Sequence, residues 1–131
     1  MNTMTKLDTK VLSASSMMGD KVVNSKGENL GDIKELMIDL DSGRVAYAVL
    51  SFGGMLGMGD KLFAIPFKSL QLRPDHKDFL LDIDKDRLKN APGFDKNNWP
   101  STADRKWGTE IHSYYGQKPY WETATTTTPR V

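Results

Sequence analysis

DIKELMIDLDSGRVAYAVLS, Asp32 to Ser51, is the stretch that decides the fold. Ile33, Leu36, Ile38 and Leu40 alternate with Glu35, Met37 and Asp39, the two-residue period of a strand. One phase slip between Ile33 and Leu36 predicts a β-bulge. Asp41-Ser42-Gly43 reads as a type I turn closed by a left-handed glycine. Arg44 to Ser51 then returns as a second strand, and its nearly continuous apolar run, Val45 to Leu50, marks it as central.

Working outward, Lys21 to Asn24 is β-prone and Ser25-Lys26-Gly27-Glu28 is turn chemistry, which makes a first hairpin. Val11 to Ser13 reads as a short strand or turn. After the glycine-rich loop Phe52 to Asp60, strands follow at Lys61 to Pro66, Leu70 to Arg73 and Asp78 to Ile83, with turns at Phe67 to Ser69 and Pro74 to Lys77. About six short strands at such spacing predict an all-β fold, a small antiparallel β-barrel, since closure removes exposed edges. Asp84 is placed to cap a short helix through Lys89 or Asn90 that Pro92 and Gly93 stop. Ser101 or Thr102 is placed to cap a second helix ending at Gly116, in which Ala103, Trp107, Ile111 and Tyr114 or Tyr115 form an apolar stripe interrupted by Gly108. The expected organisation is a flexible lead-in over 1–10, a barrel domain over 11–94, a linker and helical aromatic extension over 95–122, and a disordered threonine-rich tail over 123–131.

Composition narrows the function classes. With 131 residues, 38% hydrophobic and 27% charged, one globular domain with a true core is expected. There is no cysteine, so disulfides, thiolate metal sites and thiol catalysis are excluded. No segment reaches the ~20 apolar residues of a membrane span, and the first residues lack the apolar run of a signal peptide, so a cytoplasmic location is expected. The net charge is +1, split as −1 before and +2 after Pro66, which gives no strong nucleic-acid signal.

Motif by motif, the chemistry fails. His76 and His112 stand 36 positions apart without metal-ligand spacing and read as surface histidines. Asp39 with Asp41, and Asp82 with Asp84 and Asp86, resemble the start of a calcium loop, but position twelve falls on Leu50 or Gly93, which supply no carboxylate. Gly54 to Gly59 has phosphate-loop spacing with Asp60 where the lysine belongs. No GxSxG elbow occurs. We expect no enzyme, no cofactor and no metal.

The ordered set of the KVVNSKGENLGDIKELMID hairpin, the DLDSGRVAYAVLSFGG turn, the GGMLGMGDKLFAIPF loop and the LQL strand resembles the PRC-barrel family, over Met17 to Leu88. SYYGQKPYW, Ser113 to Trp121, resembles the C-terminal extension of its stand-alone bacterial members. The resemblance implies a barrel like the cytoplasmic domain of the photosynthetic reaction centre H subunit and the C-terminal domain of a ribosome maturation factor. It implies assembly or docking without shared catalytic residues. The expected function is therefore a non-catalytic protein-interaction module, self-associating as a homodimer. Alternatives are an RNA- or ribosomal-protein-binding module and a reaction-centre-like electron-transport accessory. The candidate contact residues are Met55, Leu56 and Met58 in the glycine loop and Trp107, Ile111, Tyr114, Tyr115, Tyr120 and Trp121 in the extension. Five of the twelve aromatic residues fall within the fifteen positions from 107 to 121, and aromatic side chains dominate interface energetics when buried.

Overall fold

The computed structural model describes residues 11–53, 60–73 and 75–122. The long hairpin forms as its alternation requires, from β2 (Asn29–Asp39) and β3 (Arg44–Gly53), preceded by β1 (Lys21–Val23). The bulge falls between Ile33 and Glu35, and a second one, invisible in the pattern, lies between Met37 and Ile38. At the turn Gly43 takes φ +75° and its N–H donates to Asp39 O at 2.7 Å. The Asp39 carboxylate accepts from the Asp41 and Ser42 N–H groups as well, at 2.9 and 3.3 Å.

β4 (Asp60–Pro66) pairs antiparallel with β3, and a 3₁₀ turn (Phe67–Ser69) leads to β5 (Leu70–Arg73) and β6 (Asp78–Leu81). β7 (Phe94–Asp95) adds to β4. The fold is all-β, in one seven-stranded sheet of order β5-β6-β1-β2-β3-β4-β7. Three details correct the expectation. The sheet does not close into a complete barrel, because β5 and β7 end the order without pairing to each other among the described residues. One pair is parallel, β1 with β6, in register Lys21↔Asp78 to Val23↔Leu80. The seventh strand, β7, straddles the expected end of the barrel at Phe94 and the start of the polar linker at Asp95.

β2 begins three residues earlier than its pattern suggests. Leu30 is fully buried and Gly31, at φ +119°, bends the strand so that one end pairs with β1 and the rest with β3. Asn24, 3% exposed, anchors the first turn: its Oδ1 accepts from the Lys26 and Glu28 N–H groups, and its Nδ2 donates to Glu28 and to Ile83 O at 3.1 Å. Val11 to Ser13 is neither strand nor turn but leads into a single helical turn, α1 (Ala14–Met17).

The main core lies on the concave face, where Val22, Leu30, Ile33, Ala48, Leu50, Phe63, Ile65 and Phe79 meet. Leu88 of α2 (Lys85–Lys89) and Ala91 seal one end of it. Asp84 stands at the α2 N-cap position without a capping hydrogen bond and instead pairs with Lys26 at 3.4 Å. α3 (Arg105–Tyr114) is capped by Asp104, whose carboxylate accepts from Lys106 N, rather than by Ser101 or Thr102, and it ends before Gly116 at φ +72°.

A Cβ at position 31 would lie 2.1 Å from Ser51 O, in a backbone region that L-residues avoid. Gly31→Ala is therefore expected to cost about 2–4 kcal/mol. Urea unfolding will report this as a lower midpoint with an unchanged slope; an unchanged midpoint would mean that β2 is not bent there.

Candidate functional site

Alternation places Tyr47 and Val49 of β3 on the face opposite Ala48 and Leu50. Both are buried, and Tyr47 joins Ala46 and Ala64 of the sheet and Ile111 of α3 in a second cluster, fringed by Met37, Phe94, Trp107, Tyr115 and Tyr120. Helix and extension thus dock on their own sheet. Tyr47 is the hub, with the Trp107 ring edge-on at 5.2 Å, Tyr120 perpendicular at 5.9 Å and His112 tilted at 5.4 Å. Burial and the neighbouring Tyr120 raise the Tyr47 phenol well above its ordinary value.

His112 is 1% exposed, which corrects its reading as a surface histidine. Nδ1 lies 2.7 Å from Gly108 O, to which it donates, and Nε2 accepts from Tyr120 N–H at 3.2 Å. These partners define one neutral tautomer and tie the segment after α3 back onto the helix. Arg44 Nη1 donates to Tyr120 O at 2.8 Å, and Gln117 N–H donates to His112 O at 2.8 Å. The Tyr120 hydroxyl hydrogen-bonds Asp39, lowering that carboxyl, while burial and the same carboxylate push the phenol up to about 12. Trp121 stands edge-on to His112 at 5.6 Å, with Arg105 over its ring at 5.0 Å.

The remaining candidates separate. Tyr114 joins α3 to α2: its hydroxyl donates to Arg87 O at 2.6 Å, Arg87 Nη2 donates to Tyr114 O, and the guanidinium stacks on the ring at 4.3 Å. Tyr115 packs against both clusters, and burial raises its phenol. Met55, Leu56 and Met58 lie outside the described residues. Ala103 is exposed and precedes α3, so the stripe begins later than its spacing suggests. The buried positions are Gly108, Ile111 and His112. Sequence reasoning missed Tyr47 and His112; the usable signal was Gly108, one turn before His112 on the same helix face.

Beside this cluster the hairpin end stays open. Leu40 is 88% exposed and Ile38 48%. A groove of about 320 Å³ runs from them to Arg105 and Tyr120. Among the described residues no group of three or more His, Asp or Glu side chains is placed to hold a metal ion, and no helix is long and apolar enough to cross a membrane.

Residues 10–88, more than half of the chain, match the model of the PRC-barrel domain. The chain belongs to the PRC-barrel domain family. No curated protein matches it. Among solved structures it is similar to RimM of Pseudomonas aeruginosa, a protein assigned to 16S ribosomal RNA processing, at 18% identity and a TM-score of 0.40. That match covers 62% of this chain and 49% of that one, so the chain spans about half the length of RimM. The family match ends before α3, so the helix and the aromatic segment lie outside it.

Two outcomes test the docked segment. A Cβ at position 108 would lie 2.6 Å from the Tyr47 hydroxyl and 2.9 Å from the Trp121 ring. Alanine at an uncrowded helix position stabilises by about 1 kcal/mol, whereas overpacking costs about 1–3. Gly108→Ala is expected to lose about 1 kcal/mol net and to shift tryptophan fluorescence to the red; a gain in stability would mean that the helix stands off the sheet. The second outcome concerns pH. Burial holds the His112 pKa below its ordinary 6.5, against smaller opposing effects of Gly108 O and Glu122. The folded state therefore favours neutral imidazole. Its contribution is complete above about pH 6.5 and is lost as pH falls from there through the lowered folded value. His112→Phe should flatten that part of the stability–pH curve.

Proposed function

We propose that this PRC-barrel chain is a non-catalytic protein-interaction module that self-associates through the open end of its β2–β3 hairpin. Family membership supports an interaction or assembly role. The observation that carries the surface is the exposure of Leu40 and Ile38 beside the groove that reaches Tyr120. Large apolar side chains grouped at one exposed site mark contact surfaces.

The candidate residues divide the work. Trp107, Ile111 and Tyr115 complete their own fold, and Tyr120 belongs both to the docked segment and to the groove. The groove is lined by Asp39, Asp41 and Arg105, and Arg44 stands opposite Asp39 in the hairpin register. Two acids and two bases in one patch suit a two-fold contact, in which the same patch meets itself and each acid finds a base across the axis.

Sedimentation is expected to show a dimer for the full chain and a monomer for Leu40→Asp, whose exposed position leaves the fold intact. A full chain that stays monomeric at about 100 µM, where a micromolar contact would be filled, sinks self-association.

A further inference from the structure

Val45 and Phe67 are shared by two adjoining depressions on the unclosed side of the sheet. The larger, a groove of about 540 Å³, has Leu12, Leu70, Leu72 and Phe79 in its walls and no charged side chain among the described residues. The smaller continues past Arg44, Lys68 and Lys118, and no acidic side chain among the described residues lines it. One wall of the groove is β5. That strand ends the sheet order, so its outer edge has no strand neighbour among the described residues. Leu70 and Leu72 share one face of β5, alternating with Gln71 and Arg73.

An unpaired edge beside apolar walls is the geometry that receives an added strand: main-chain hydrogen bonds supply affinity, and alternate side chains enter the pockets. Charge selects the occupant. Lys68 and Lys118 are exposed and have no ionic partner among the described residues. Arg44 adds a third cation, held in place by Tyr120 O. The chain's own first ten residues, MNTMTKLDTK, carry two lysines against one aspartate and so are repelled by this rim.

We propose that the seam docks an extended acidic segment of a partner protein. The segment pairs with the outer edge of β5, sets its apolar side chains against Leu70 and Leu72, and sets its carboxylates against Lys68 and Lys118. This site adjoins the hairpin end, with Arg44 and Tyr120 between them, but neither Leu40 nor Ile38 lines it, and its test reads peptide binding rather than self-association.

The test is fluorescence anisotropy on the full chain, with a labelled nine-residue peptide alternating valine and glutamate, and its valine–lysine counterpart as control. The acidic peptide is expected to bind at least tenfold more tightly than the basic one, to weaken about tenfold in Lys68→Glu/Lys118→Glu, and to weaken as salt rises. Hydrogen exchange in the bound state should gain protection along Leu70–Arg73. Equal binding of both peptides, or protection confined to other strands, overturns the proposal. Binding that appears only after removal of residues 1–10 would make the chain's own lead-in the occupant and overturn it as well. Leu40→Asp should leave peptide binding unchanged.

Discussion

Ala48 and Leu50 of β3 enter the concave core, while Tyr47 and Val49 turn to the other face and are buried there too, so β3 has no side left for water. A strand in this position must have a cover on its convex face, and here α3 and the segment after it provide one. The consequence is that the aromatic extension acts first as part of the fold. Removing it would open Tyr47 and Ala64, both of which are within 2% of full burial. A truncation that exposes such surface confounds loss of a partner with loss of structure, which is why single exposed side chains such as Leu40 discriminate better between functions.

Close approach of helix to sheet depends on Gly108. Without a side chain at that position, the Tyr47 hydroxyl and the Trp121 ring can occupy the space a Cβ would take. His112, one turn later, then uses the Gly108 carbonyl as the acceptor for Nδ1–H and offers Nε2 to Tyr120. The glycine that interrupts the helix pattern, the buried histidine and the docked Tyr120 are one arrangement. Its neutral imidazole is required because a proton on Nε2 would face another N–H donor.

Much of this was legible in the sequence. The alternation from Asp32 to Ser51, its phase slip and its Asp-Ser-Gly turn predict β2, the first bulge and the reversal correctly, because all three are local. The parallel pairing of β1 with β6 was not legible: four strands, β2 to β5, and their turns lie between Lys21 and Asp78, and no periodicity reports which edges meet. β7 escaped because two residues paired to Leu62 and Lys61 carry no pattern. Asp104 displaced Ser101 and Thr102 as the cap because all three have capping side chains, and only the docking of α3 on the sheet selects among them. His112 was misread for a related reason. Its burial follows from the approach of a strand far away in sequence, while the polar residues flanking Ile111 and His112, Glu110 and Ser113, are exposed.

The failure of the sheet to close has a physical consequence for how the molecule meets others. A closed barrel satisfies every strand edge, whereas this sheet leaves β5 at one end of the order and the two-residue β7 at the other. β7 is nearly too short to template anything, and the Trp99 ring packs at a tilt against its Phe94 at 4.9 Å. β5 is longer, and its leucines border an uncharged groove. Proteins usually blunt such an edge with an inward charge or a covering loop; here the Arg73 charge is neutralised by its two hydrogen bonds to Asp78, at 2.9 Å each. Lys68 stands at the other end of the strand, with Lys118 lining the same depression. An edge whose leucines share one face and whose neighbouring cations stand at one end would discriminate among extended chains by the sign of their charge.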